Sequence, residues 1–164
     1  MQLALGFLRG AVAAGRCASL LDVGSGRGAF LFPLLRHFPD LTVTSLDMLP
    51  HRVELLQDLA RGGITRLTAI EGDICTTTLP DKAFDVVALL EVMEHIPDTA
   101  AVVRSAVRLA RYHILVSVPS QPDDNPEHIH LFTRDRLVQL FTQAGCRTVK
   151  FQGVNGHHFM IATL

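Results

Sequence analysis

The sequence has no tryptophan and a single tyrosine, Tyr112, among its 164 residues. Only phenylalanine and histidine are left to stack on the bases of a single-stranded nucleic acid. Net charge is equally scarce: 15 lysines and arginines stand against 16 aspartates and glutamates, a formal charge of −1. With a pI near 6.7, the chain lacks the electrostatic drive for tight non-specific binding to nucleic acid or an anionic membrane. Cys17, Cys75 and Cys146 are odd in number, far apart and without C-x-x-C spacing. They exclude a disulfide framework and a cysteine zinc site, and fit a reducing compartment, with the cytoplasm as the expected location. No uncharged run approaches the roughly 20 residues of a membrane span. The opening MQLALGFLRGAVAAG carries its charge at Arg9, inside the apolar run instead of ahead of it, and reads as an amphipathic helix, not a signal peptide.

What is present is globular. Hydrophobic residues make up 48% and charged residues 19%, and no repeat, linker or composition shift divides the chain, so one domain over residues 1–164 is expected. ASLLDVG, LTVTSLD, FDVVALLE and HILVSVP are short apolar runs that end in a polar residue, Gly or Pro, as strands buried on both faces do. RLTAIEGD is a weaker strand, suited to an edge. Helical periodicity covers Phe30 to Phe38, Pro50 to Arg61 with Gly62 and Gly63 after it, and Asp98 to Tyr112 with Asp98 as cap. After a further helix, TRDRLVQLFTQAG, with Thr133 as N-cap and Gly145 as stop, RTVKFQGV and HHFMIATL are separated by Asn-Gly and read as a hairpin. The pattern predicts an α/β fold: a Rossmann-like, seven-stranded, mostly parallel sheet with helices on both faces and a C-terminal antiparallel hairpin. The one long irregular stretch, Pro119 to Phe132, has the length of a functional loop.

Gly24, Gly26 and Gly28 lie where the first strand turns into its helix, the ligand side of an open parallel sheet. Gly24 and Gly26 allow a tight turn and close approach of a ligand to the backbone, and Gly28 is expected to let the helix pack against the strand. Asp47, at the end of the second strand, is placed to accept from a ribose diol, which implies an adenosine-containing ligand. The spacing is one residue short of G-x-G-x-x-G, and Asp22 stands just ahead of the loop, which suits a cationic ligand better than a pyrophosphate.

DVGSGRG followed by SLDM, EGDI and FDVVALLEVMEHIPD resembles the class I S-adenosylmethionine-dependent methyltransferases, in order and along nearly the whole chain. That resemblance implies that Asp22 and the backbone of Gly24, Ser25, Gly26 and Gly28 hold the methionine part of the cofactor. It further implies that Asp47 takes the ribose hydroxyls, Met48 packs on the adenine, Asp73 accepts from the adenine amino group with Ile74 beside it, and Leu90 and Glu91 close over the sulfonium end. Residue by residue, Met48 also reads as core, Asp73 as a turn former, and Arg27 as a solvated side chain.

Methyl transfer from a sulfonium is an in-line displacement in which the protein positions, excludes water and, for a hydroxyl acceptor, supplies a base. His95 after the fourth strand and His128 and His130 in the long loop are the candidate catalytic residues, because imidazole titrates near neutrality. No D-P-P-Y-type segment or Pro-Cys follows the fourth strand, so the nucleobase methyltransferases are not resembled. Glu91, Glu94 and His95, with His128 or His130, resemble the metal site of terminal ribose O-methyltransferases of small RNAs, and a similar segment recurs in ubiquinone-pathway O-methyltransferases. A divalent metal with mixed carboxylate and imidazole ligands is therefore an alternative. The principal expectation is transfer to a small-molecule acceptor at oxygen. RNA ribose methylation is the alternative enzyme. A third reading is a cofactor-binding subunit that needs a partner, because only about seventeen residues precede the first strand, which leaves the lid short, missing or supplied by another chain. Leu3, Leu5, Phe7, Leu8 and Val12 pack on the sheet or on a second copy, which leaves a homodimer open.

Overall fold

The apolar runs pair into one sheet. The computed structural model describes residues 1–164, apart from the side chain of Val154. Strands β1 (Ser19–Val23), β2 (Thr42–Asp47), β3 (Leu67–Glu71), β4 (Phe84–Leu90), β5 (Ala110–Pro119), β6 (Thr148–Val154) and β7 (His157–Thr163) lie in the order β3-β2-β1-β4-β5-β7-β6. β1 to β5 are parallel, and β7 runs antiparallel between β5 and β6. RLTAIEGD does supply an edge strand. The hairpin turns at Asn155 and Gly156, where Gly156 has φ +75°.

Side chains alternate across this sheet with the period of two that strands impose. Leu20, Val43, Val86 and Leu115 pack on one face with α1 (Gln2–Ala13), α2 (Leu31–His37) and α3 (Pro50–Arg61). Leu21, Leu46, Val87 and Ile114 pack on the other with α4 (Thr99–Leu109) and α5 (Arg134–Gln143). Burial on both faces explains why the strands read as continuous apolar runs. Leu5 and Leu8 of α1 are buried in the first of these cores, with Leu3, Phe7 and Val12 packed against it, so the apolar side of α1 covers the sheet. Among the described residues no helix is long and apolar enough to cross a membrane.

The caps act as expected: Asp98 accepts from the Ala101 N–H at 2.8 Å and Thr133 from the Arg136 N–H at 3.2 Å. The helix expected to reach Tyr112 instead stops at Leu109, and Ala110 pairs with Phe84 to open β5. The extended backbone carries Arg111 to Asp85, whose carboxylate also accepts from the N–H groups of Ala18 (2.8 Å) and Ser19 (3.1 Å). A buried carboxylate with three donors outweighs helix propensity over three residues.

The chain steps outward from β1 through β2 to β3, then returns past β1 to β4. That reversal opens a crevice at the carboxyl ends of β1 and β4, the position where open α/β sheets bind ligands.

Candidate active site

The turn after β1 must reverse over the strand ends within a few residues, and its glycines carry that geometry. Gly24, Gly26 and Gly28 have φ of +63°, +56° and +78°, in the left-handed region. Gly24 donates to the Leu46 carbonyl at 2.8 Å, which ties the loop to β2. A Cβ on Gly24 would stand 3.1 Å from a methyl of Val92, while one on Gly26 would meet only a carbonyl oxygen at 3.8 Å. At Gly28 the neighbour differs from the expected one. A Cβ there would lie 2.4 Å from the ring of Phe32, so the glycine makes room for the first turn of its own helix and not for a strand.

The loop walls a cleft of about 660 Å³. Gly24, Gly26, Asp47, Met48, Asp73, Ile74, Glu91 and His95 all line it, and Leu49, Arg52, Gly72, Val92 and Glu127 complete much of its surface. Asp47 is 5% exposed. Its Oδ1 accepts from the Leu49 N–H at 3.0 Å, while its Oδ2 is buried with no hydrogen-bond partner among the described residues and has Arg52 Nη1 at 3.8 Å. Asp73 Oδ1 accepts from the Cys75 N–H at 2.8 Å, so this residue both closes its turn and faces the cleft. Met48 is 62% exposed, and its expectation as a core residue is wrong: it follows the last β2 residue, beyond the reach of the helix layers.

Asp22, Ser25, Gly28 and Leu90 do not line the cleft. Asp22 is 2% exposed and lies beneath the loop, where it accepts from Ser25 Oγ at 2.6 Å. Ser25 Oγ is also 2.6 Å from Ser45 Oγ on β2. Burial pushes the Asp22 carboxyl up to about 7, against the Ser25 hydrogen bond and helped by the charge of Asp47. The acid expected to meet a cationic ligand thus braces the loop from below. Leu90 packs into the core on the α1 side of the sheet.

On the far side of the cleft, β4 is followed by Glu91, a non-glycine residue with φ +58°. Its N–H donates to the Ser117 carbonyl at 2.8 Å, its carboxylate accepts from the Ser117 hydroxyl, and His157 Nε2 is 3.3 Å from Oε2. The chain then forms a single 3-10 turn, Met93–His95. The long loop is stitched to that turn: the Ile129 and His130 N–H groups donate to the Glu94 carbonyl at 2.9 and 3.3 Å, and His95 Nδ1 lies 3.1 Å from the Glu127 carbonyl. His128 and His130 line a second cavity of about 240 Å³ and not the main cleft. His130 Nε2 lies 3.3 Å from the Pro97 carbonyl. His128 Nδ1 lies 2.7 Å from Asp123 Oδ2, and its ring stands edge-on to that of His95 at 4.8 Å.

Glu94 is fully buried with neither carboxyl oxygen hydrogen-bonded among the described residues. Burial, reinforced by the charge of Glu91, pushes it up to about 8. One donor atom each from Glu94, His95 and His128 lie within 4.8 Å of one another. Burial pushes the Cys17 thiol up to about 12 and Cys75 and Cys146 up to about 11, which disfavours their thiolates, and none of the three lines the cleft.

Sequence reasoning missed Ser45, Arg52, Asp123 and Glu127. Arg52, in the first turn of α3, is five residues after Asp47, and Asp123 is five residues before His128, spacings that a search for partners of the singled-out residues would have reached.

A family model described as a methyltransferase domain matches residues 21–113, more than half of the chain, and the chain belongs to that family. It is 33% identical over 94 residues to a ubiquinone biosynthesis O-methyltransferase of Pseudomonas entomophila (strain L48), covering 56% of this chain and 39% of the relative. It is 30% identical over 94 residues to an ajmaline N-methyltransferase of Rauvolfia serpentina, covering 56% of this chain and 32% of the relative. The chain therefore spans 32% to 39% of the length of these two relatives. The fold is shared with PigF, solved with SAH, at a TM-score of 0.73 and 17% identity over 90% of this chain and 51% of that one. The recognition and the fold class read from the sequence are thereby borne out: this is a class I methyltransferase fold, and S-adenosylmethionine is the cofactor of these methyltransferases.

Proposed function

We propose that this chain transfers a methyl group to a hydroxyl of a small-molecule acceptor, with His95 as general base. The carrying observation is Asp47 Oδ2, a buried carboxylate oxygen without a hydrogen-bond partner on the wall of a glycine-lined cleft. Such an atom is costly unless a ligand supplies its donor, and a ribose diol does. The residues present fit S-adenosylmethionine, which supplies the electrophilic methyl group when bound. Asp47 would take the ribose, Asp73 and Ile74 the adenine with Met48 over its face, and the Gly24 to Gly26 backbone the methionine end. Asp22 and Ser25 act on that end through the shape of the loop.

His95 alone of the three candidate histidines lines the cleft. Its Nδ1 faces the Glu127 carbonyl, which can only accept, so Nδ1 carries the proton and the neutral ring keeps Nε2 free to take the acceptor's proton. The charge balance favours a small molecule over nucleic acid, and the unpaired thiols favour the cytoplasm. Release of S-adenosylhomocysteine is the assay, run over hydroxylated single-ring acceptors. His95→Ala is expected to lower turnover by roughly 10² or more with unchanged affinity for S-adenosylhomocysteine. Undiminished turnover in that variant sinks the assignment.

One observation favours a second reading. The unpartnered oxygens of Glu94, beside His95 and His128, form a mixed donor set that would hold a divalent ion such as magnesium or manganese, where it would supply Lewis-acid activation of the acceptor. Loss of turnover on chelation, restored by manganese, supports that reading, and full turnover in chelator removes it.

A further inference from the structure

The loop between β5 and α5 encloses the second cavity, and nothing in the cofactor assignment uses it. About 150 Å³ is enough to hold benzene, so 240 Å³ suits one substituted ring. Its walls offer such a ring the faces of Pro119, Pro122, Ile129 and Leu131, of which Ile129 and Leu131 are about half exposed. The cavity adjoins the cleft at the histidine pair. His128 lines it, the ring of His95 packs on that of His128, and His95 and Glu127 line the main cleft, so an atom held at the histidine pair is reached from both sides.

Carboxylates predominate around this junction, with His157 3.3 Å from Glu91 and His128 2.7 Å from Asp123 as their imidazole partners. Glu91 and Glu127 line the cleft and Asp123 the cavity, whereas the one arginine or lysine lining either, Arg52, sits beside Asp47 at the cofactor's end. Glu94 has two buried carboxyl oxygens without a hydrogen-bond partner among the described residues, and one of them lies within 4.8 Å of a ring nitrogen of each histidine. His128 Nδ1 faces the Asp123 carboxylate, which can only accept, so Nδ1 donates there and Nε2 is the ring atom left for a ligand. The junction thus offers acceptor atoms and negative charge, which a hydroxyl or an ammonium satisfies and an anion does not.

We propose that the second cavity, joined to the cleft through His95 and His128, binds the acceptor, and that it takes a single-ring molecule that is neutral or carries an ammonium group and rejects carboxylates and phosphates. This rests on the methyl-transfer reading above.

The test is calorimetric titration of the S-adenosylhomocysteine-loaded chain, in chelator and again in magnesium, with three probes: catechol, a catechol bearing an aminoethyl chain and a catechol bearing a carboxylate. The first two are expected to bind, and the carboxylate at least roughly tenfold more weakly in both conditions. Leu131→Asp, in the apolar wall, is expected to weaken catechol roughly tenfold without changing affinity for S-adenosylhomocysteine, which also reports that the variant is folded. A carboxylate probe that binds as well as catechol in either condition overturns the proposal, as does unaltered catechol binding in Leu131→Asp or no binding of any probe. Repeating the titrations without S-adenosylhomocysteine separates the two readings: failure of the nucleoside to bind defeats the methyl-transfer reading, while the order of the probes still decides the cavity.

Discussion

Replacing Asp47 by alanine isolates the group on which cofactor binding turns. The carboxylate has two oxygens in different states: Oδ1 is occupied by the Leu49 N–H, and Oδ2 is unpartnered in a side chain only 4% exposed. A hydrogen bond to a charged group is worth about 1.5–3 kcal/mol, so a diol that engages this carboxylate gains roughly 3 kcal/mol or more from it. Alanine therefore weakens binding of S-adenosylhomocysteine by roughly a hundredfold, read by calorimetry at neutral pH. Asparagine keeps an oxygen for Leu49 and loses the charge, and about tenfold weakening is expected. The unliganded alanine variant should melt within a few degrees of the parent, because the carboxylate it removes is only half partnered and repels Asp22. A folded Asp47→Ala chain that binds S-adenosylhomocysteine within about threefold of the parent would refute the reasoning.

Gly28→Ala places a Cβ against the Phe32 ring at a φ of +78°, and a loss of roughly 2 kcal/mol is expected, seen as a melting temperature lower by about 4–8 °C. Phe32→Ala in the same chain should return only the steric part, since the left-handed backbone remains. Asp22 has its folded value raised to about 7 from the ordinary 3.8. Its protonated form is therefore favoured by folding, a contribution that is full below about pH 4 and lost as the pH rises through 7. Relative to the parent, Asp22→Asn should lose stability at acid pH and regain ground between pH 4 and 7 in thermal melts, and parallel pH profiles would contradict the buried acid. Asp85→Ala strips the partner from Arg111 and from the N–H groups of Ala18 and Ser19. It should lower stability by about 2–4 kcal/mol in denaturant titration and leave the affinity of the folded chain for S-adenosylhomocysteine unchanged.

The parts of the fold that were legible are those set by local pattern. Strands buried on both faces announce themselves as apolar runs, Asp98 and Thr133 as caps, and Asn155–Gly156 as a hairpin turn, because each depends on a few neighbouring residues. The glycine turn and Asp47 were legible for the same reason: a strand end and a left-handed backbone leave residue-type signatures. What failed to show was side-chain direction where tertiary contacts decide it. Asp22 is taken up by Ser25, whose hydroxyl also meets Ser45 on β2, twenty residues further along the chain. Met48 is exposed at the cleft past the end of β2, and His128 and His130 line their own cavity, where the loop is anchored by backbone hydrogen bonds to Glu94 that no spacing predicts. The early end of α4 follows from Asp85, whose donors come from residues 18, 19 and 111.

The central claim is that the nucleoside of the methyl donor lies in the glycine-lined cleft on Asp47. A crystal structure of the chain with S-adenosylhomocysteine tests it directly. The account predicts ribose hydroxyls within hydrogen-bond distance of Asp47 Oδ2 and the amino-acid end over the Gly24 to Gly26 backbone. Density for the ligand elsewhere, or in the cleft with Asp47 Oδ2 still unpartnered, would contradict it.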